Sequence, residues 1–264
     1  MDQRFLQLYQ EYTQLDIESA TDFHKYNLYS LVHHSTTIEG NTLTEGETQL
    51  LLDKGLTAHG KPLEHSLMVK DAYNALLYAK EMAAQKTEIS ENFLKSLNAK
   101  VCHATGEILH TALGTVDGSK GEYRKSASYA QGGGYYLSPT KISSAMQNFC
   151  TEANQQLKHA NDLKAQYDLS FDLHFNLVTI HPWIDGNGRT SRLLMNYVQL
   201  SFALPLSKVY LQDRQAYIHA LEKTRKRNDI KIFREFMYGQ QKKYFQEKID
   251  EFKRSQDQGL NLLF

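Results

Sequence analysis

The sequence predicts an all-α protein, a bundle of helices, and three observations carry that expectation. Apolar residues recur at helical spacing along most of the chain, and only 4 prolines interrupt 264 residues. Loop-forming composition is concentrated in one region, Gly114 to Pro139, which holds six of the 15 glycines.

In order along the chain, residues 5–15 (FLQLYQEYTQL) place apolar side chains on one face of a first helix. A second is expected to open at Thr21 or Asp22, both suited to N-capping, and to run through Tyr26, Tyr29, Leu31 and Val32 to Ile38. Gly40 and Asn41, which tolerate positive φ, stop it. Thr44 and Glu47 form a T-x-x-E capping box for a short helix that ends at Gly55. Residues 64–85 read as one long helix, and Ser90 with Asn92 opens the next. The glycine-rich stretch between Gly114 and Pro139 alternates small, aromatic and polar residues, which favours a hairpin and loops. Helical periodicity returns over 141–159, 164–180, 189–204, 214–226 and 230–252. No linker divides the chain cleanly. The expected organisation is an N-terminal helical region (1–85), a core (86–240) and a C-terminal helical tail (241–264), packed as one helical body.

Composition narrows the function classes. Lys plus Arg and Asp plus Glu are both 30, so no global field attracts nucleic acid or an anionic membrane. The basic run on the 214–227 segment (Arg214, Arg225, Lys226, Arg227) reads as a solvated helix face rather than a nucleic-acid reader. The N-terminus lacks a basic segment leading into an apolar core, and no stretch approaches the ~20 apolar residues that span a bilayer. A cytoplasmic protein with neither a membrane nor a nucleic-acid partner is expected. Cys102 and Cys150 read as small buried hydrophobes, not as a disulfide framework. The 16 tyrosines and 12 phenylalanines are enough either to fill a helical core or to supply a homodimer interface.

Residues 181–192 (HPWIDGNGRTSR) carry the chemistry. Pro182 ends one helix, Asp-Gly-Asn-Gly is turn chemistry, and the apolar period resumes at Leu193. A helix opening after a tight glycine loop offers unpaired N–H groups and the positive end of a dipole, which suits a polyphosphate. Gly186 and Gly188 let backbone approach phosphate oxygens, and Arg189 and Arg192, three apart, can reach one side of the loop. Asp185 is suited to a Mg²⁺ bridging phosphates, and a neutral His181 at the rim can take a proton from a hydroxyl. Other loop types fit less well. A calcium loop starting at Asp185 would need Glu where Asn196 stands, no Walker A string occurs, and His174 and His181 lack zinc-site spacing. A structural turn bearing two surface arginines remains the plain alternative.

The same string resembles the signature of the Fic family, H-P-F-x-[DE]-G-N-G-R-x-x-R, at every defined position except Trp183, which stands for Phe and is expected only to repack the wall. The looser resemblance runs from about Ser90 to Tyr238. It implies a Fic-fold helical bundle with a small β-hairpin flap over the active site. It also implies transfer of AMP from ATP, with Mg²⁺, to a Ser, Thr or Tyr hydroxyl of a protein target, the chain itself included. In that reading His181 is the general base, Asp185 holds the metal, and Gly186, Asn187 and Gly188 form the anion hole. Arg189 grips the β-phosphate, Arg192 pairs with the γ-phosphate, and Asn196 helps hold the nucleoside. Gly121–Ser138 resembles the flap through its start, Gly121-Glu122-Tyr123-Arg124, with Tyr129 further along. Ser126, Ala127 and Ser128 replace the flap's usual apolar alternation, so an ordinary surface hairpin competes with that reading.

Ser35-Thr-Thr-Ile-Glu39-Gly40 fits a capping box through Thr36 and Glu39, but the stop signals follow Glu39 at once. A carboxylate there faces the negative end of the helix dipole, a cost of about 0.3–1 kcal/mol. The string is similar to the Fic inhibitory motif, [ST]-x-x-x-E-[GN], which implies that Glu39 pairs with Arg192 and keeps it from the γ-phosphate. The competing functions are AMP removal, transfer of another nucleotide or phosphate-linked group, and a non-catalytic nucleotide-binding regulatory module, which would have no need of His181.

Overall fold

The computed structural model describes residues 1–19, 23–129 and 135–257. Ten α-helices, four single-turn 3-10 helices and one small antiparallel sheet make up the regular structure of these residues. The helices are α1 (Gln3–Gln14), α2 (Phe23–Ile38), α3 (Glu45–Lys54), α4 (Leu63–Ala84) and α5 (Glu91–Val101). After the sheet come α6 (Ile142–His159), α7 (Leu163–Ile180), α8 (Asn187–Ser201), α9 (Arg214–Arg227) and α10 (Ile230–Asp257).

Local signals set several of these boundaries. Asp2, Ser90 and Asp162 each accept a backbone N–H from the first turn of their helices. Thr44 and Glu47 form the reciprocal box ahead of α3, which ends on Gly55 in the left-handed region. The N-cap expected at Thr21 or Asp22 falls outside the described residues. Thr36 is not a cap: its hydroxyl donates to the Val32 carbonyl one turn back at 2.9 Å.

The regular hairpin lies upstream of most of the glycine-rich stretch. Its strands are β1 (Ile108–Thr111) and β2 (Gly114–Asp117), with Thr111 opposite Gly114. Within 121–138, the described strand pairing is a single bridge between Tyr129 and Tyr135.

Two apolar cores meet at α7 and α8. In the first, Leu28 and Val32 of α2, Val69 and Leu76 of α4, and Leu94 and Leu97 of α5 pack around Leu193, Leu194 and Val198 of α8. Ala72, Ala75, Ala79 and Ala83 give α4 a small-residue stripe that lets it lie close to α8. In the second core, Phe5, Leu8 and Tyr12 of α1 pack with Tyr167 and Phe171 of α7 and Phe233, Met237 and Phe245 of α10. The result is that α8 is buried along almost its whole length, and polar residues on it must find partners inside the protein. Among the described residues no helix is long and apolar enough to cross a membrane.

Candidate active site

The loop between α7 and α8 is held by its own side chains. His181 ends α7 in the left-handed region (φ 53°, ψ 59°), an uncommon conformation for a residue with a Cβ, while its N–H still bonds the Leu177 carbonyl. Asn187 closes the loop by accepting the Trp183 N–H at 3.0 Å and donating to the Trp183 carbonyl at 2.9 Å. Trp183 does more than repack a wall. Its buried indole N–H donates to the Gly121 carbonyl at 3.1 Å, a tie that Phe could not make. Gly186, at φ 77°, opens α8, and a Cβ there would meet Cys102 Sγ at 2.7 Å and Asn98 Nδ2 at 2.8 Å. Asn98 uses that close approach to donate to the Asp185 carbonyl and to Thr190 Oγ1, both at 3.1 Å.

His181 is oriented from three sides. Its Nδ1 lies 3.3 Å from the Val178 carbonyl, which can only accept, so the ring proton belongs on Nδ1 and the lone pair on Nε2. Tyr136 stacks flat on the imidazole, centroids 3.8 Å apart and 9° from parallel. Arg124 donates from Nε to the His181 carbonyl at 2.7 Å, from Nη1 to Ser126 at 2.8 Å and from Nη2 to Leu137. That buried guanidinium therefore ties both limbs of the 121–138 segment to the loop. Burial pushes the His181 pKa down to about 4, opposed by the Val178 carbonyl and helped by the nearby Arg124 and Arg225.

Arg192, one turn into α8, is 3% exposed and held mainly by Ser35 of α2 and by Glu39 just past its end. Its Nε donates to Ser35 Oγ and its Nη2 to the Ser35 carbonyl, both at 2.9 Å, and Nη2 also reaches Glu39 Oε1 at 2.7 Å. Gly188 makes room for this contact: a Cβ there would stand 2.3 Å from Glu39 Oε1. Behind the guanidinium, the Tyr217 hydroxyl lies 3.5 Å from Nη1 and 2.9 Å from His174 Nε2. Arg214 donates to the Ile38 carbonyl at 2.7 Å and so caps the end of α2 beside Glu39.

A cavity of ≈ 250 Å³ joins these groups, its walls including Glu39, His181, Gly188, Arg192, Tyr136 and Tyr217. Tyr129 also lines it, its hydroxyl 3.3 Å from that of Tyr135. The other residues singled out in the sequence stand back from it. Arg189 is buried, bonding Asp185 Oδ2 at 2.7 Å and facing the Val101 carbonyl at 3.3 Å. Asn196 is wholly buried two turns into α8, where its amide donates to the Ser207 carbonyl at 2.9 Å rather than facing the cavity. Tyr123 bonds Glu91 at 2.9 Å and packs near Trp183, so it braces the base of the 121–138 segment. Gly121 contributes its carbonyl to Trp183. Tyr136 and Tyr217 are residues around this cavity that sequence reasoning missed, while Arg124 was read only as part of the flap's start and Arg214 only as part of a solvated basic run.

Among the described residues no group of three or more His, Cys, Asp or Glu side chains forms a metal cage. The Asp185 carboxylate is 58% exposed at the mouth of the loop. One hard, accessible oxygen donor of this kind fits Mg²⁺ held mainly by phosphate oxygens and water.

Comparison with solved structures defines the class of fold. The chain resembles a Fic-domain-containing signalling protein from Bacteroides thetaiotaomicron with a TM-score of 0.80 at 24% identity, covering 95% of this chain and 97% of that one. It also resembles Fic-1 from C. elegans, with a TM-score of 0.74 at 20% identity over 96% of this chain and 72% of that one. This is the Fic fold. Residues 88–199 match the Fic/DOC family, and proteins named protein adenylyltransferase Fic are similar in sequence. That of Drosophila persimilis is 32% identical over 207 residues, covering 78% of this chain and 38% of its own length. That of Drosophila melanogaster is 31% identical over the same length, covering 78% and 39%. Residues 88–199 belong to the Fic/DOC family, and the chain spans about two-fifths of the length of these curated relatives.

Proposed function

We propose that this chain is a protein adenylyltransferase held inactive by its own Glu39. One observation carries the reading: the Glu39 carboxylate sits against Gly188 and Arg192, at the N-terminal turn of α8, inside the cavity that also holds His181. That turn is where an anion would be received by free N–H groups and the helix dipole. A carboxylate occupying it is an internal stand-in for a phosphate.

In the proposed reaction, ATP lays its phosphates along the loop of Gly186, Asn187 and Gly188. Arg192, once released from Glu39, receives the terminal phosphate. Arg189 is held by Asp185 and lies one turn behind the loop, so it acts on the phosphates through the position of that carboxylate. Asp185 would hold Mg²⁺, which neutralises charge on the phosphate oxygens. The target hydroxyl enters beside Tyr136, gives its proton to His181 Nε2 and attacks the α-phosphorus in line. The bond from that phosphorus to the bridging oxygen breaks, and pyrophosphate leaves. A base of this kind contributes about 10²–10⁴-fold, and the rest comes from positioning and charge. Arg124 and the Tyr136 ring supply the positioning by fixing the imidazole and the segment over it.

Pyrophosphate release tests the reading. Glu39→Gly, given ATP, Mg²⁺ and an acceptor protein, is expected to release pyrophosphate in step with a mass increase of one adenylate on the acceptor. Release without any adenylate on protein would overturn protein modification and leave a nucleotide hydrolase.

A further inference from the structure

The hold on Arg192 has a part that no side-chain rotation can undo. Turning Glu39 away breaks one bond to Nη2, but Nη2 also donates to the Ser35 carbonyl, which belongs to the α2 backbone. Arg192 is fully freed for a phosphate only when α2 itself moves. Whatever fixes α2 therefore sets the strength of the restraint.

Three donors fix it, all from one stretch of chain. Lys208 Nζ donates to Ser30 Oγ at 3.0 Å, the Leu211 N–H to His34 Nδ1 at 3.2 Å, and Arg214 Nε to the Ile38 carbonyl at 2.7 Å. Ser30, His34 and Ile38 recur every fourth residue, a stripe along α2 about a third of a turn round from Ser35 and Glu39. The Tyr210 ring packs on that of His34, centroids 5.1 Å apart. Burial pushes the His34 pKa down to about 3, so at neutral pH the ring is uncharged and keeps a lone pair for the Leu211 N–H.

The donating stretch is itself deeply packed. Residues 204–210 have no regular structure, yet all of them are buried. Loops ordinarily run over the surface, because buried irregular backbone is costly unless its polar groups find partners. Here neighbouring helices supply them. Gln199 of α8 accepts the Ser207 N–H at 2.8 Å, and Gln240 of α10 accepts the Tyr210 N–H at 2.8 Å. The Tyr210 hydroxyl donates to Glu247 of α10 at 2.7 Å, and Lys208 Nζ lies 3.9 Å from the same carboxylate. The stretch thus grips α10 on one side and α2 on the other.

We infer that residues 204–214 are a strap through which α10 holds the restraining helix, so that loosening the strap lets α2 shift and frees Arg192 from Ser35 and Glu39. Its effect on rate rests on the transferase reading; its hold on α2 does not. His34, Lys208 and Tyr210 do not line the active-site cavity, so their effect on the site is carried by α2.

The test variants are Lys208→Met, His34→Phe and Tyr210→Phe, the last removing only the hydroxyl bonded to Glu247. Hydrogen exchange by mass spectrometry is measured on the protein without nucleotide, in peptides from α2 and, as a control on global stability, from α6. Exchange in α2 is expected to quicken about fivefold or more, in keeping with the loss of one hydrogen bond, with α6 unchanged. Label from α-labelled ATP should enter protein about fivefold faster than with the wild type, and the same substitutions should add nothing to Glu39→Gly. A protein merely weakened by the substitutions would lose activity instead of gaining it. If Lys208→Met or His34→Phe does not fold, Tyr210→Phe carries the test. Unchanged exchange in α2, or equal quickening in α2 and α6, overturns the strap. Labelling that stays at the wild-type rate while Glu39→Gly is active overturns its link to the restraint. Faster exchange confined to α2, with no labelling by any variant including Glu39→Gly, removes the transferase reading and leaves the strap standing.

Discussion

Arg192 donates to Glu39 Oε1 at 2.7 Å across 153 residues of sequence, and the two side chains share the cavity that ends at His181. Arg192 is buried and Glu39 about one-third exposed, so the carboxylate is the partner able to leave. Ser35 holds the other edge of the guanidinium. Ser35→Ala would strip the acceptor from Arg192 Nε and cost about 1.5–3 kcal/mol in stability. It is expected to give activity between wild type and Glu39→Gly, read as adenylate incorporation beside a urea unfolding curve.

The tie between Trp183 and the 121–138 segment can be cut without touching the loop backbone. Trp183→Phe installs the aromatic of the Fic signature yet removes the bond to the Gly121 carbonyl. The expected cost is about 1–3 kcal/mol from the lost hydrogen bond and the space left by the smaller ring. Thermal unfolding should shift down by several degrees, with faster proteolytic cleavage within the 121–138 segment.

Arg124 is the stronger anchor. Arg124→Lys keeps the charge but cannot donate at once to the carbonyls of His181, Ser126 and Leu137. In the Glu39→Gly background it is expected to lower kcat by about tenfold or more through a misplaced imidazole and segment. Steady-state kinetics check this, with ATP affinity measured separately.

Acid should act on both stability and rate. Burial takes the His181 pKa from 6.5 down to about 4 and that of His34 to about 3. Between those values and 6.5 the unfolded chain binds more protons than the folded one, so stability is complete above pH 6.5 and declines as pH falls below it. Urea midpoints measured from pH 7.5 to 4.5 should fall progressively through that window. The rate of Glu39→Gly, by contrast, should stay nearly flat to about pH 5, because His181 remains neutral and able to accept a proton.

Much of the helical framework was legible because caps and periodicity are local. Thr44 with Glu47, Ser90, Gly55 and the apolar stripe of α4 each act within a few residues of where they are read. The 181–192 loop was legible for the same reason. What escaped depends on contacts between distant segments. Tyr136 on His181, Arg124 on the Leu137 carbonyl and Arg214 on Ile38 have no local signature. Tyr129 and Tyr135 pair antiparallel within the stretch where a hairpin was expected, whereas the 108–117 hairpin went unread because its two-residue turn, Ala112-Leu113, lacks the Asn-Gly or Asp-Gly pattern that usually announces one. Asn196 looked available by spacing alone, but α8 is enclosed on nearly every side, and its amide is used within the core.

The central claim is that Glu39 restrains a transferase whose base is His181. The direct measurement is incorporation of label from α-labelled ATP into protein by the wild type, Glu39→Gly, and Glu39→Gly with His181→Ala. Strong labelling by the single variant alone, with little by the wild type and none by the double variant, is the predicted result. Equal labelling by the wild type and Glu39→Gly would contradict the restraint, and labelling that survives His181→Ala would contradict the role of the base.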